Sequence, residues 1–309
     1  MKNKRVLVVL GGTSGEREVS LDTGKACVRA LKKKGYYVTT FDPKKKPLNL
    51  INKSKSDIIF NALHGKGGED GVAQSYFEYL RIPYTHSGVI SSYNAMNKIF
   101  SKEIFKTNKI KSPKYFALHK PISIKKELQI NIKKQKIKFP IVVKPTNEGS
   151  SIGVRICKNI HDLLKSTKTL FNSYEKLIFE PFIGGQEIQV AILNNLTLGA
   201  IELKPKRQFY DYKAKYSKKA NTKHIMPANL NKSKYREVLQ IAKKAHKALN
   251  CKGVTRSDFK FYKNSFYLLE TNTQPGMTSL SLVPEIASYK GISFENLIEK
   301  ILLNASLNR

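Results

Sequence analysis

Apolar residues along this chain come in short bursts separated by stretches with helical spacing. The order is "RVLVVLGG", helical "SLDTGKACVRALKKKG", then "YVTTFDP", "SDIIFNALHG" and helical "VAQSYFEYLRI". Strands separated by helices of that length predict crossover units on a parallel sheet, an α/β arrangement. Two of the strands run directly into glycine-bearing loops, "GGTSGEREVS" and "HGKGGEDG". These loops fall at strand C-termini, where open parallel sheets bind ligands. Neither has the spacing of a mononucleotide P-loop or of a dinucleotide fingerprint.

A helical pattern from about Ser91 to Asn108 follows, then the strand "KYFAL" and a Lys/Gln/Ile segment near 121–138 that reads as a helix with loops. Next comes "FPIVVKPTNEGSSIGV", an apolar run, Lys144-Pro145, a Gly/Ser loop and a second β-branched run. It reads either as a hairpin with a flexible turn or as a lid whose N–H groups and hydroxyls close over phosphates beside Lys144. "EKLIFEPFIGGQEIQVAIL" gives two strands joined through Gly184-Gly185, a hinge between domains, with Glu180 and Glu187 on either side, either as solvated acids at strand ends or as the acceptors a ribose would need. The stretch 205–227 has tyrosines, lysines and little periodicity. Long loops in compact domains tend to be lids or disordered, and aromatic content favours a lid. "SKYREVLQIAKKAHKAL" and "ISFENLIEKILLNA" read as helices.

With 309 residues and 40% hydrophobic content, the chain exceeds the usual size of one core. The expected division is an N-terminal α/β unit, 1–95, a central unit, 96–184, and a C-terminal unit, 185–309. Apolar runs such as Val6 to Leu10 are far short of the roughly 20 residues that span a bilayer, and the first meets glycines before a signal h-region forms. A cytoplasmic protein without membrane insertion is expected. Cys27, Cys157 and Cys251 are widely spaced and read as buried thiols rather than as disulfides or a zinc site. The net charge of +33 raises nucleic acid as a partner. The lysines are scattered beside Asn and Ile, without a basic stripe interleaved with stacking aromatics, so a solvated basic surface is the better reading.

The strongest chemical signal lies near the C-terminus. "VTRSDFKFY" and "FYLLETN" flank Lys263-Asn264-Ser265, which suits a three-residue hairpin loop. That register sets Asp258 opposite Glu270 and Arg256 opposite Asn272 on one face, with Phe259, Phe261, Tyr267 and Leu269 on the other. Two opposed carboxylates repel, and a divalent cation between them would reverse that penalty. Two carboxylates and an amide are hard oxygen ligands that suit Mg2+ shared with substrate phosphates. Arg256 suits charge that develops on a phosphoryl group or tetrahedral centre. Gly276 permits close backbone approach, and Ser279 or Ser281 is placed to open a short helix whose N-terminus holds a carboxylate.

In order and spacing, "GGTSGEREVS", "LHGKGGEDG", "VVKPTNEGSSIGV", "EPFIGGQE", "FYDYKAKYS", "GVTRSDF" and "LLETNTQPGMTSLSLVPE" resemble the D-alanine:D-alanine ligases, ATP-grasp enzymes of peptidoglycan precursor synthesis. The resemblance runs nearly end to end. It implies an N-terminal parallel-sheet domain followed by a two-domain ATP-grasp fold of α+β character. It also implies ATP as cosubstrate with two Mg2+ or Mn2+ ions, a homodimer, and no nucleic-acid partner. By resemblance, Lys98 and Lys144 would contact ATP phosphates under the loop carrying Glu148, Gly149, Ser150 and Ser151. Glu180, Pro181, Phe182, Ile183 and Glu187 would line the adenine and ribose site, and Lys215 would reach the transferred phosphate. Asp258, Glu270 and Asn272 would be metal ligands. Glu16, Ser150 and Tyr216 would bind the first D-alanine and link the long loop shut, with Val19 and His64 nearby. Arg256 and the Gly276 N–H would form the oxyanion site, and Ser281 with Leu282 would bind the second substrate's carboxylate. Asn97 and Lys213 stand where the family more often has Asp and Glu. Relatives that make D-alanyl-D-lactate lack a tyrosine at position 216, so the dipeptide is the expected product.

Overall fold

Residues 4–204 and 222–308 are described by a computed structural model. Strand β1 (Arg5–Val9) is flanked in parallel by β2 (Tyr37–Phe41) and β3 (Ile58–Asn61). Val6 to Val9 are all buried, as expected where helices cover a parallel sheet. Helix α1 (Arg17–Lys33) supplies the first crossover, and α2 (Val72–Tyr79) follows β3.

The helical pattern of 91–108 is two helices rather than one: α3 (Val89–Met96) and α4 (Lys98–Thr107). Asn97 is extended between them, and its Oδ1 accepts from the N–H groups of Ile99 and Phe100 at 3.0 and 3.2 Å. Apolar periodicity runs through a break of one residue, which is why the pattern looked continuous. Asn caps helices about as well as Asp does.

The central sheet has the order β4 (Phe116–His119), β7 (Lys176–Pro181), β5 (Ile141–Pro145) and β6 (Arg155–Cys157), with every pairing antiparallel. Helices α5 (Ile124–Gln135) and α6 (Ile160–Leu170) close its core through Leu128, Leu163 and Leu170. The last sheet has the order β10 (Lys223–Ile225), β9 (Leu196–Lys204), β8 (Gln186–Leu193), β11 (Val254–Tyr262) and β12 (Ser265–Asn272). Residues 223–225 therefore pair with β9 instead of continuing a loop to 227.

Strand β8 divides its side chains between two cores. Ile188, Val190 and Ile192 pack with Val238 and Ala242 of α7 (Lys232–Ala248). Ala191 and Leu193 join a cluster holding Val6, Val8 and Phe60 of the first sheet. The same cluster takes Ile286 of α8 (Leu282–Tyr289) and Ile298 of α9 (Phe294–Leu303). The N-terminal and C-terminal sheets thus share apolar packing, which fixes the loops of one against the strand ends of the other.

Between β7 and β8, Gly185 has φ +83°, and a Cβ there would collide with the Phe261 carbonyl oxygen. Only glycine tolerates both the left-handed backbone and the contact.

The β11–β12 hairpin differs from expectation in an instructive way. Its turn is two residues, Lys263-Asn264, both with positive φ. Left-handed backbone at both central positions is what the turn of a tight two-residue hairpin requires. A bulge between Asp258 and Phe259 then shifts the register by one, and the predicted pairs return: Asp258 opposite Glu270 and Arg256 opposite Asn272. Beyond the bulge, Phe259 pairs with Leu268 and Phe261 with Phe266, so these four face the core together. Tyr267 and Leu269 do not join them. Leu269 instead lines a cleft beside Glu270, and Tyr267 lies under the Lys111 ammonium, 4.5 Å from ring centre to nitrogen.

Candidate active site

A cleft opens between the central sheet and the last one. Its walls combine apolar side chains, including Val142, Ile152, Phe182, Ile183 and Leu269, with the charged Lys98, Lys144, Glu148, Glu180, Glu187, Asp258, Lys260 and Glu270. Pro181 and Ser151 also line it. The mixed lining suits a nucleotide, with apolar side chains for a base and charged groups for its polar parts.

Strand β5 carries Lys144 into this cleft and β7 carries Glu180 beside it, since Val142 pairs with Glu180 and Lys144 with Ile178. Lys144 Nζ is 3.0 Å from Glu180 Oε2. On the other carboxylate oxygen, Lys102 Nζ is 3.0 Å away, so one buried carboxylate sits between two ammonium groups. Burial works to raise the Glu180 carboxyl, and the two cations more than reverse it, holding it below the usual carboxylate value. At the far side of the slot, Glu187 Oε2 pairs with Lys260 Nζ at 2.9 Å.

The β5–β6 segment is an antiparallel hairpin, and its loop lines the cleft through Glu148, Ser151 and Ile152. Lys98, the first residue of α4, reaches that loop and donates to the Glu148 carbonyl. Burial raises the Glu148 carboxyl, and Lys98 opposes the rise. Ser150 donates to Glu16 Oε1, which closes the loop onto the N-terminal unit. A Cβ on Gly149 would come within 2.8 Å of Glu16 Oε2, so glycine makes that approach possible.

A second, more polar cleft adjoins the first. It is lined by Glu16, Glu69, Lys98, Glu148, Gly149, Ser150, Arg256, Glu270 and Asn272, among others. Lys98, Glu148 and Glu270 line both clefts, so the two meet at those three side chains.

At the hairpin, Arg256 grips Asp258 through two hydrogen bonds, Nε to Oδ1 at 2.8 Å and Nη2 to Oδ2 at 3.0 Å. Lys98 Nζ lies 3.8 Å from Glu270 Oε2. Protein cations therefore already offset both carboxylates, and mutual repulsion is not what calls for a metal. The donor set remains suitable: two carboxylates across one hairpin rung, with Asn272 two residues further along β12 and its Oδ1 accepting from the Gln274 N–H at 2.9 Å. Those hard oxygens fit Mg2+ or Mn2+ shared with phosphate oxygens.

Val19, His64, Gly276 and Ser281, expected near the amino-acid substrates, come together around Thr23 and Met277. His64 is buried, with Nδ1 2.8 Å from Glu69 and Nε2 3.0 Å from Thr23 Oγ1. Thr23 Oγ1 also accepts from the Met277 N–H at 3.2 Å. A Cβ on Gly276 would lie 3.0 Å from Ser281 Oγ and 3.9 Å from Val19. Ser281 precedes α8 without capping it; its Oγ instead accepts from the Thr278 N–H at 2.9 Å. The first N–H groups of α8 thus have no side-chain cap from Ser281. The Leu282 side chain is buried in the core. Lys215 and Tyr216 lie outside the described residues.

Four residues here were not foreseen: Lys102, Lys260, Glu69 and Thr23. Two carried a signal. Lys102 is four residues after Lys98 on one helix face, and Lys260 is two after Asp258 on one strand.

Known proteins resemble this chain in sequence and in fold. Residues 104–303 match the family model described as "D-ala D-ala ligase C-terminus". A D-alanine–D-alanine ligase from Pelagibacter ubique is 54% identical over 309 residues, 99% of each chain. The chain belongs to the D-alanine–D-alanine ligase family. Another member, from Geotalea uraniireducens, is 43% identical over 99% of this chain and 97% of its own. A crystal structure of the Bacillus anthracis D-alanine–D-alanine ligase superposes with a TM-score of 0.86 at 34% identity, covering 97% of each chain. The complex of that enzyme with ATP gives a TM-score of 0.83 at 31% identity, again over 97% of each.

Proposed function

We propose that this chain joins two D-alanine molecules into D-alanyl-D-alanine, using ATP, in the synthesis of peptidoglycan precursors in the cytoplasm. The observation that carries this reading is the meeting of two clefts, one shaped for a nucleotide and one for a small zwitterion, at Lys98, Glu148 and Glu270.

ATP occupies the larger cleft, with its base against Glu180, Pro181, Phe182 and Ile183 and its ribose at Glu187. Lys98 and Lys144 hold the phosphates. Asp258, Glu270 and Asn272 would hold two Mg2+ or Mn2+ ions, whose contribution is to offset phosphate charge. The first D-alanine sits by Glu16 and Ser150, with Val19 and His64 alongside. Its carboxylate oxygen attacks the γ-phosphorus and ADP leaves, giving an acyl phosphate. The second D-alanine is held by the α8 N-terminus at Ser281 and Leu282, and its amine attacks the acyl carbon. Arg256 and the Gly276 N–H stabilise the tetrahedral oxyanion, which collapses to the dipeptide and phosphate. Water would hydrolyse the acyl phosphate, so the loop at Glu148 to Ser151 excludes it.

The units proposed for this work are residues 1–95, 96–184 and 185–309. A homodimer is proposed as well. Tyr79, Ile90, Tyr93 and Phe100 are exposed on α2, α3 and α4 at 80, 69, 47 and 42%, with the Tyr93 and Phe100 rings 5.6 Å apart, and exposed apolar groups of this kind favour an interface. Light scattering would reveal the mass. Among the described residues no helix is long and apolar enough to cross a membrane.

Product analysis tests the ligation directly. With ATP, Mg2+, D-alanine and D-lactate together, D-alanyl-D-alanine is expected. Predominant D-alanyl-D-lactate would replace this reading with that of a depsipeptide ligase.

A further inference from the structure

Lys102 belongs to none of the seven motifs, yet it is the most deeply placed cation near the cleft, at 1% exposure. Lysines are almost never so buried without a partner. It leaves α4 on the same face as Lys98, one turn along. Lys98 ends at the junction of the two clefts, whereas Lys102 Nζ reaches the Pro113 carbonyl at 3.1 Å and Glu180 Oε1 at 3.0 Å.

Glu180 and Lys144 line the nucleotide cleft; Lys102 does not, and stands behind the carboxylate. A carboxylate this buried is driven toward its protonated form unless cations hold it. If Lys144 turned toward the phosphates, Glu180 would keep a charge partner only through Lys102. A carboxylate has about four acceptor positions, so two ammonium groups leave capacity on the cleft side for a donor from the ligand.

We propose that Lys102 is a positioning residue for the nucleobase end of the cleft: it keeps Glu180 ionised and fixed as an acceptor for the exocyclic amine of a 6-amino purine. This rests on the reading that Glu180 faces the base. An acceptor-only group there disfavours a 6-oxo purine, whose oxygen brings a second lone pair to the same place. Lys102 thereby contributes to the choice of ATP over ITP without touching either. It also leaves Lys144 available to the phosphates, because Glu180 does not become an unpaired buried charge when Lys144 moves.

The test uses Lys102→Met in the full chain, with KM and kcat measured separately for ATP, ITP and D-alanine. The KM for ATP is expected to rise roughly tenfold or more while kcat changes less than about threefold, the pattern of lost ground-state binding. The KM for D-alanine stays put, and the kcat/KM preference for ATP over ITP narrows. Adding Lys102→Met to Glu180→Gln costs little beyond Glu180→Gln alone, because the two act as one unit. If Lys102→Met does not fold, Lys102→Gln, which keeps a donor for the Pro113 carbonyl, replaces it with the same expectations. Unchanged KM for ATP, or a parallel loss in kcat and in D-alanine affinity, would overturn the proposal. Should Glu180→Gln itself leave ATP affinity and base preference unaltered, the assignment of the base site fails. If Glu180→Gln weakens ATP while the Lys102 variant does not, only the role of Lys102 fails.

Discussion

Replacing Glu270 by Gln separates chemistry from folding. The side chain is 29% exposed, and the Lys98 ammonium is 3.8 Å away. A partly exposed pair at that distance contributes about 0.2–1 kcal/mol. Gln keeps the shape and one acceptor oxygen, so the melting temperature should shift by no more than about 2–4 °C. The effect on turnover is of another size. Losing one of two carboxylates that would hold a divalent ion at the transferring phosphate removes several kcal/mol of charge stabilisation. At about 4 kcal/mol, kcat falls about 1000-fold. Phosphate release with saturating ATP, Mg2+ and D-alanine reads the rate, and calorimetry on the same preparation reads the fold. A Glu270→Gln enzyme with normal rates would refute the placement of the ion. A variant that lost activity only because it unfolded would show that Glu270 is structural.

Three further outcomes are expected. Ser150→Ala removes the hydroxyl that donates to Glu16; the first D-alanine should bind about tenfold more weakly with little change in ATP affinity, measured by initial rates. Gly185→Ala forces a Cβ into the Phe261 carbonyl at a positive φ and should destabilise the chain by about 3 kcal/mol or more in urea unfolding. His246 is buried with Nδ1 2.8 Å from Thr255 Oγ1; burial, and secondarily Lys252, pull its imidazole down to about 4 from the usual 6.5. The folded state resists a proton that the unfolded chain accepts, so stability is full above about pH 6.5 and falls as pH drops toward 4, by a few kcal/mol. Urea titrations at pH 7 and 4.5 should show this loss in the parent and much less of it in His246→Gln.

Regular periodicity made most elements legible: the alternating strands and helices of the first unit, the two long C-terminal helices, and the Asp258–Glu270 rung. What escaped the sequence were features one residue wide. Asn97 breaks a helix without breaking its apolar stripe. The Lys263-Asn264 turn and the bulge after Asp258 offset each other, so the right carboxylates paired through a different loop while Leu268, not Leu269, entered the core. Arg256 and Lys98 offset the carboxylates because side chains reach across strands and units, which a hairpin considered alone does not reveal. The Lys102–Glu180–Lys144 cluster was hidden for the same reason: its members come from a helix and two strands that meet only in the folded molecule.

The most direct measurement of the central claim is phosphate release from ATP and Mg2+ with D-alanine as the only other substrate. One phosphate per D-alanyl-D-alanine formed is the predicted result. No phosphate release at saturating D-alanine, from a folded protein that binds ATP, would contradict it.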